Sequence, residues 1–321
     1  MTALAKALEV GLQSKCDDGS CVYACELDRT WTIGAVPQGG YSLGVLVEAC
    51  TKHMSESPHM DPIHVSAHFL HATNVGRGQV HVKIVKTGSI FTNLVANLVQ
   101  QGQTKTVAHL IFGNLSPQPP GEGRKIFSPT SPYARRLPLT IHPGSIAPSF
   151  SRPDWTSEHV QFSLDDELLA RNDLESPTRT SSKSDRVKVF ALPFFADSFV
   201  PMPMLLPESE PANKGAPYSW YPTITMSVEF KARLPSSEKY SDRTVGIYCE
   251  SRFLHEPHAR HNARVELWTA PSVTGGGEPA EGWRERQYCL AIADQMCLML
   301  PMEINTRKGS RDSTKLSGSK L

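Results

Sequence analysis

Three kinds of signal are scarce in this sequence of 321 residues. Its charges almost cancel, with 33 lysines and arginines against 32 aspartates and glutamates, so its composition favours neither nucleic acid nor an anionic membrane surface as a partner. It contains no apolar run of about 18 residues, so we expect no membrane span, and its first residues lack the apolar centre of a signal peptide. The seven cysteines follow no common spacing. We therefore expect reduced thiols and no metal site.

Residues 31–54, WTIGAVPQGGYSLGVLVEACTKHM, organise the first part of the chain. They predict a turn at Pro37 and Gly39-Gly40, followed by a helix from Tyr41 in which nearly every position to Cys50 is apolar or small. A helix without a polar stripe must be covered on all sides by protein. We therefore predict a curved antiparallel sheet wrapped around this helix. Its strands are the alternating runs that follow, at residues 64–70, 80–86, 91–100 and 104–113.

The same order of elements recurs in the second part of the chain. Residues 114–153 hold nine of the 25 prolines and predict a linker. A second apolar segment at 187–206 follows, in which Pro201 and Pro203 shorten any helix. Strand-like runs come next, at residues 223–234, 244–254, 262–269 and 286–300. The pattern is typical of the α+β class, with a buried helix and an antiparallel meander in each of two modules.

These patterns divide the chain into four expected parts: an N-terminal module at 1–113, a proline-rich linker at 114–153, a C-terminal module at 154–306 and a flexible tail at 307–321. Three minor elements are also predicted: a short amphipathic helix over 1–15, a helical turn over 165–173 and a polar loop over 175–185.

Three polar residues of the second part occupy positions where a purely structural role is uncomfortable. Asp197 lies in the aromatic run FFADSFV, where a carboxylate is costly to bury unless it is hydrogen-bonded, although it could also cap a helical turn. Gln295 lies on a row of small and apolar residues and needs a buried partner, which the backbone of the core could supply. Thr223 opens a strand, where threonine is ordinary. The three are candidates for a site, with structural roles as the alternatives.

Short motifs in both parts carry a family resemblance. Those of the first part are Pro37-Gln38-Gly39-Gly40-Tyr41, His68-Phe69-Leu70, Lys86-Thr87-Gly88-Ser89 and Gln100-Gln101-Gly102. Those of the second part are Phe195-Ala196-Asp197-Ser198-Phe199, Pro222-Thr223-Ile224, Tyr248-Cys249-Glu250-Ser251 and Ala291-Ile292-Ala293-Asp294-Gln295. With these motifs, residues 20–301 resemble the double-hotdog acyl-CoA thioesterases, a family of bacterial type II and peroxisomal enzymes and their fungal relatives.

The resemblance implies a fold and a reaction. The fold is a double hotdog, in which two antiparallel sheets, each wrapped around a central helix, are fused in one chain. The family's site of an Asp, a Thr or Ser, and a Gln falls on Asp197, Thr223 and Gln295. The implied reaction is hydrolysis of an acyl-CoA by water that the Asp activates, with neither a cofactor nor a metal. Gly40 or its neighbour, at the N-terminus of the first helix, is expected to bind the oxyanion.

Two other function classes remain open. One is a hotdog lyase or dehydratase that acts on an acyl-CoA in a tailoring pathway, and the other is a non-catalytic acyl-binding hotdog. The chain has no clear catalytic His, which argues against the first, and the intact Asp, Thr and Gln set argues against the second. Thr225 and Met226 stand where bacterial relatives carry an acidic residue and a His, which bears on substrate choice. Because hotdog sheets commonly pair edge to edge, the resemblance is also compatible with a homo-oligomer.

The chain ends in Ser319-Lys320-Leu321 after a basic, serine-rich stretch. The tripeptide S-K-L at a C-terminus is an address that the peroxisomal import receptor reads. We therefore expect peroxisomal localisation, with this receptor as a partner. The expectation agrees with the resemblance, because acyl-CoA metabolism is concentrated in peroxisomes.

Overall fold

The computed structural model describes residues 2–116, 131–146, 160–164, 175–182, 185–236 and 238–310. The helical turn predicted over 165–173 and the terminal Ser319-Lys320-Leu321 lie outside these residues. The helices of the described part are α1 (Leu4–Ala7), α2 (Gly39–His53), α3 (Leu192–Ala196) and α4 (Met302–Ser310). Within this part of the chain, no helix is long and apolar enough to cross a membrane.

The strands belong to one large antiparallel sheet and two short pairs, so the two separate sheets that the resemblance implies are joined into one continuous sheet. Those of the first part are β1 (Gly11–Lys15), β2 (Cys21–Leu27), β3 (Thr32–Ile33), β4 (Val36–Pro37), β5 (Asp61–Phe69), β6 (Gly76–Thr87), β7 (Thr92–Gln100) and β8 (Gln103–Gly113). Those of the second part are β9 (Val160–Leu164), β10 (Glu175–Ser182), β11 (Ser219–Trp220), β12 (Thr223–Phe230), β13 (Thr244–Glu250), β14 (Leu254–His255), β15 (Arg260–Trp268), β16 (Cys289–Cys297) and β17 (Leu300–Pro301).

The large sheet runs in the order β1-β2-β6-β7-β8-β5-β12-β16-β15-β13-β10-β9, with β14 paired to β15. The two parts of the chain meet where β5 pairs with β12, and Ser66 lies opposite Ser227 at this junction. From the junction outward, the first half runs β5-β8-β7-β6-β2 and the second half runs β12-β16-β15-β13-β10. When the five strands of each half are numbered along the chain, both halves follow the order second, fifth, fourth, third, first. Each half also has a register shift near the start of its junction strand, between Pro62 and His64 and between Thr223 and Thr225. The second half therefore repeats the first in strand order and in register.

Helix α2 is enclosed by protein, as the sequence predicts. Every residue from Gly40 to Cys50 is buried. The strands that cover it alternate as period-two runs should, and β7 shows the plainest alternation of buried and half-buried residues. The helix begins at Gly39, two residues earlier than expected, because the side chain of Gln38 accepts a hydrogen bond from the Tyr41 N–H and caps it.

The central helix of the second half is short. Helix α3 has five residues, and prolines at 201 and 203 follow it, so the predicted shortening is confirmed. Its aromatic residues pack against the first half, with the Phe194 ring edge-on to Trp31 at 5.2 Å between centroids. Glycines of α2 allow the close approach, because a Cβ at Gly40 would lie 2.6 Å from the Asp197 Cβ.

Three local predictions are wrong. Residues 1–15 form the four-residue α1 and then β1, which pairs with β2 at the sheet edge instead of continuing a helix. The loop expected at 175–185 contains strand β10, because pairing with β9 and β13 on both sides outweighs its polar composition. Helix α4 continues to Ser310, so residues 307–310 of the expected flexible tail are helical.

Candidate active site

The structure brings Asp197, Thr223 and Gln295 together, although they lie far apart along the chain. Asp197 follows the last residue of α3, Thr223 opens β12, and Gln295 lies near the end of β16, which pairs with β12. The Thr223 hydroxyl donates to Asp197 Oδ1 at 3.0 Å and lies 3.3 Å from Gln295 Oε1. Three side-chain oxygens thus converge at one point between the two halves.

The orientation of Gln295 follows from a buried partner on α3. Its side chain is 5% exposed, and its Nε2 donates to the Ala196 carbonyl at 2.8 Å. This bond turns Oε1 toward Thr223. Because the threonine hydroxyl has one hydrogen and donates it to Asp197 at the shorter distance, Gln295 Oε1 keeps free acceptor capacity at the same point.

The carboxylate of Asp197 is also held by the N-terminus of α2. The Gly40 N–H donates to Asp197 Oδ2 at 2.8 Å. A helix N-terminus carries unsatisfied N–H groups and partial positive charge, so a carboxylate there is in a favourable electrostatic position. In this structure, therefore, the Gly40 N–H orients the carboxylate of Asp197, and the candidate base has a donor on each oxygen.

Gln38 links the two helices that form the site, and the sequence analysis did not select it for a role. Its Oε1 caps α2, while its Nε2 donates to the Asp197 carbonyl at 3.1 Å. The side chain is 1% exposed and also lies within hydrogen-bond distance of Phe194 O and Ser198 Oγ. A glutamine directly before Gly39-Gly40 is the only sequence signal for it, since glutamine is not a preferred capping residue.

A cavity of about 150 Å³ opens beside these side chains. Asp197, Thr223 and Gly39 line it, together with the end of β5 and the segment that leads into β12. Gly39 provides the first N–H of α2, and no acceptor for this N–H occurs among the described residues. Most of the remaining lining is apolar: Ile33, Val36, Pro37, Phe69, Leu70, Ala72, Trp220, Tyr221, Pro222 and Ile224. The cavity is therefore lined mainly by apolar residues, with Asp197 and Gly39 of the candidate site in its wall.

Cys297 lies next to the site, with Sγ 3.7 Å from Thr223 Oγ1. Burial, reinforced by the nearby Asp197, raises the pKa of its thiol to about 12. The thiol is therefore neutral at physiological pH and is a poor nucleophile there. Among the residues that the structure describes, no group of His, Cys, Asp and Glu side chains could hold a metal ion.

Solved structures with the same architecture define the fold class. One is a protein with a hot dog fold from Alicyclobacillus acidocaldarius (TM-score 0.66, 15% identity, 93% of this chain and 98% of that chain). A putative thioesterase II from Thermobifida fusca covers the same shares, with a TM-score of 0.63 and 19% identity. The acyl-CoA thioesterase II TesB2 of Mycobacterium marinum also covers them, with a TM-score of 0.63 and 12% identity. The protein therefore has a hotdog fold.

The first half of the sequence is similar to one known family. Residues 27–113 match the family model of the acyl-CoA thioesterase N-terminal domain. This segment contains β5–β8 and the whole of α2, whose N-terminus holds the Asp197 carboxylate. Among curated proteins, no sequence matches this chain. Over residues 27–113, the resemblance to the acyl-CoA thioesterases that the sequence motifs indicate agrees with this family model.

Proposed function

We propose that the protein is a double-hotdog acyl-CoA thioesterase, which hydrolyses acyl-CoA to a free acid and CoA with water activated by Asp197. The convergence of Asp197 Oδ1, Thr223 Oγ1 and Gln295 Oε1 beside a cavity carries the proposal. The family match over residues 27–113 and the repeated strand order of the two halves support it.

The three oxygens suit a bound water molecule. Such a water donates one hydrogen to Asp197 and the other to Gln295 Oε1, and accepts the Thr223 hydroxyl hydrogen when that hydroxyl turns from the carboxylate. Asp197 removes a proton while the water oxygen bonds to the thioester carbonyl carbon. The carbon–sulfur bond then breaks, and the departing thiolate takes the proton from Asp197. The products are a carboxylic acid and CoA thiol, and no covalent enzyme intermediate forms.

The N-terminus of α2 is the source of the oxyanion donor. Gly40 or its neighbour is the residue that the sequence predicts for this role. The Gly40 N–H is occupied by Asp197, while Gly39 lines the cavity and its N–H has no acceptor among the described residues. Gly39 is therefore the stronger candidate, and the helix dipole adds to the stabilisation of negative charge on the carbonyl oxygen.

The terminal Ser319-Lys320-Leu321 supports a peroxisomal location for this reaction. The test uses the full chain with a fluorescent protein at its N-terminus, so that the C-terminus stays free. We expect punctate signal that overlaps a peroxisomal marker and becomes diffuse when the last three residues are deleted. Diffuse signal from the intact chain would contradict the proposed location.

A thiol-release assay tests the reaction. The purified chain is incubated with saturated acyl-CoAs of increasing chain length, and Asp197→Asn serves as the blank for contaminating hydrolases. Release of free CoA by the native chain alone supports the thioesterase. Loss of water from a 3-hydroxyacyl-CoA without thiol release would replace it with the lyase. Binding of acyl-CoA without either reaction would replace it with the non-catalytic acyl-binding protein.

A further inference from the structure

Helix α4 is tied to the wall of the catalytic cavity by a buried amide. Asn305 has a fully buried side chain whose Nδ2 donates to the Ile33 carbonyl at 2.9 Å and whose Oδ1 accepts from the Ala35 N–H at 2.8 Å. These residues flank Gly34, which has a φ of +61° at the turn between β3 and β4. Because β4 leads directly into Gln38 and α2, the C-terminal helix is fixed relative to the catalytic groups.

Lys308 lies one turn beyond Asn305 and faces this cavity. It lines the cavity together with Asp197 and Thr223, and its Nζ lies 5.2 Å from the centroid of the Trp220 ring. An aromatic face attracts an ammonium group and orients it without neutralising its charge. Among the residues that the structure describes, no carboxylate lies within ion-pair distance of Lys308. Within the described part of the chain, the cavity therefore has a cation on its wall without an anionic partner.

The charges of the cavity suggest what this cation binds. Asp197, Lys308, the imidazole of His71 and the phenol of Tyr221 are the ionisable side chains among its lining residues, and burial raises the pKa of Tyr221, so its phenol is uncharged at neutral pH. A thioester group is itself neutral, so the substrate's negative charge has to lie away from the reacting carbon. A substrate that places its thioester at Asp197 and an anionic group at Lys308 matches the cavity in charge as well as in polarity.

We propose that Lys308 is the anion anchor of the substrate. Its ammonium group binds an anionic group elsewhere on the thioester substrate, which is either a phosphate of CoA or a carboxylate at the far end of the acyl group. The proposal rests on the proposed thioesterase function and adds a specificity-determining residue to the same site. It also gives the C-terminal helix a part in substrate binding.

Arg307 is the control for the alternative that Lys308 only stabilises helix α4. A cation in the last turn of a helix is favourable because of the helix dipole, and Arg307 shares that turn with Lys308. Arg307 donates to the Glu303 carbonyl at 3.4 Å and is not among the residues that line the cavity. If the charge served the helix alone, replacing either residue with Met would have the same effect.

The test measures kcat and KM for Lys308→Met and Arg307→Met with four substrates: a neutral and an ω-carboxylated acyl group, each on CoA and on N-acetylcysteamine, which has no phosphate. For the substrates that carry the anion bound by Lys308, we expect Lys308→Met to raise KM about 3- to 10-fold at unchanged kcat. Arg307→Met should have no effect on KM, and Lys308→Arg should have a KM close to that of the native chain. A rise with both CoA substrates alone identifies a CoA phosphate. A rise with both ω-carboxylated substrates alone identifies the acyl carboxylate.

Three results would overturn the anchor: an unchanged KM for all four substrates, an equal rise for the neutral N-acetylcysteamine thioester, or the same rise in Arg307→Met. A binding measurement separates this proposal from the proposed function. Calorimetry with a thioether analogue of ω-carboxyacyl-CoA, which carries both kinds of anion, needs no turnover. A Kd that is about 3- to 10-fold weaker in Lys308→Met supports the anchor even if no thioester is hydrolysed, and an equal Kd refutes it.

Discussion

The two halves of the large sheet have the same strand order and the same register, but only the second carries the three catalytic candidates. Ser227 and Ser66 lie opposite each other at the junction, so the residues before them, Met226 and Val65, are equivalent. Met226 lies opposite Gln295 and Val65 lies opposite Leu110, so Leu110 is the equivalent of Gln295 in the first half. In the same way, Thr223 lies opposite Cys297 and corresponds to Pro62 opposite Phe112.

The comparison shows what distinguishes a site from a core on one backbone. Leu110 and Phe112 are fully buried, and Pro62 has no side-chain donor or acceptor. In the first half, Leu110 and Phe112 belong to the hydrophobic core that also contains α2, while the second half has an amide and a hydroxyl at the compared positions 295 and 223. Helix α2 serves both, since its body fills the first half and its N-terminus holds the carboxylate of the second.

The largest expected effect comes from removing the carboxylate of Asp197, the base of the proposed site in the second half. Asp197→Asn should lower kcat/KM for acyl-CoA about 10²- to 10⁴-fold, because the amide cannot take a proton from water. Asp294→Asn is the matched control, since Asp294 is exposed and pairs with Arg264 away from the cavity. Comparable activity in Asp197→Asn and the native chain would remove the general base from the account.

Gln295→Leu gives the second half the residue that the first half has at this position. We expect kcat to fall about 10- to 100-fold because the water loses one of its acceptors, with a smaller change in KM. The Ala196 carbonyl also loses its donor, so thermal unfolding should be measured alongside the kinetics. Met296→Leu on the other face of the strand is the control, and a native kcat for Gln295→Leu would contradict the role of the amide.

The reverse exchange, Leu110→Gln, sharpens the comparison from the other side. Leu110 is 0% exposed, so an amide there is buried without a prepared partner. We expect a loss of roughly 2–4 kcal/mol in the free energy of unfolding and no gain in activity, since Pro62 provides no hydroxyl. Leu110→Met, of similar volume, should cost less than about 1.5 kcal/mol. Denaturant unfolding measures both, and equal stability of the two variants would show that this core tolerates a polar group.

The smallest expected effect concerns Cys297, which corresponds to Phe112. Since its pKa is raised to about 12, the thiol stays protonated at pH 8 and becomes a thiolate only as the pH approaches that value. Iodoacetamide at pH 8 should therefore leave activity unchanged while it alkylates the exposed Cys16. Mass spectrometry of the two peptides checks this, and rapid alkylation of Cys297 at pH 8 would mean that the thiol is accessible and ionised.

The sequence predicts well the elements that have a local residue pattern, and it predicts poorly the elements that depend on contacts with distant parts of the chain. The alternation over Thr92–Gln100 and the lack of a polar stripe in α2 are local signals, and the structure agrees with both. Strand β10 is polar and forms only because β9 and β13 pair with it, and no local pattern reports such pairing. The same holds for α4, whose position depends on the bonds of Asn305 to residues of the first half.

The candidate site also has residues that the sequence predicts and contacts that it does not predict. Asp197 and Gln295 stand out because they are polar residues in apolar surroundings, and burial of such groups requires partners. Their partners could not be derived from the sequence. The Gly40 N–H and the Ala196 carbonyl are backbone groups, which have no signature in the residue type. Gln38 and Lys308 were missed because each acts across the boundary between the two halves of the chain.

The central claim is that Asp197 activates water directly and forms no bond to the acyl group. A single-turnover reaction in H₂¹⁸O, with enzyme in excess over acyl-CoA, tests it. The account predicts that the released acid carries one ¹⁸O atom and that the peptide containing Asp197 carries none. Unlabelled acid together with ¹⁸O in the Asp197 carboxylate would show attack by the carboxylate itself and would contradict the account.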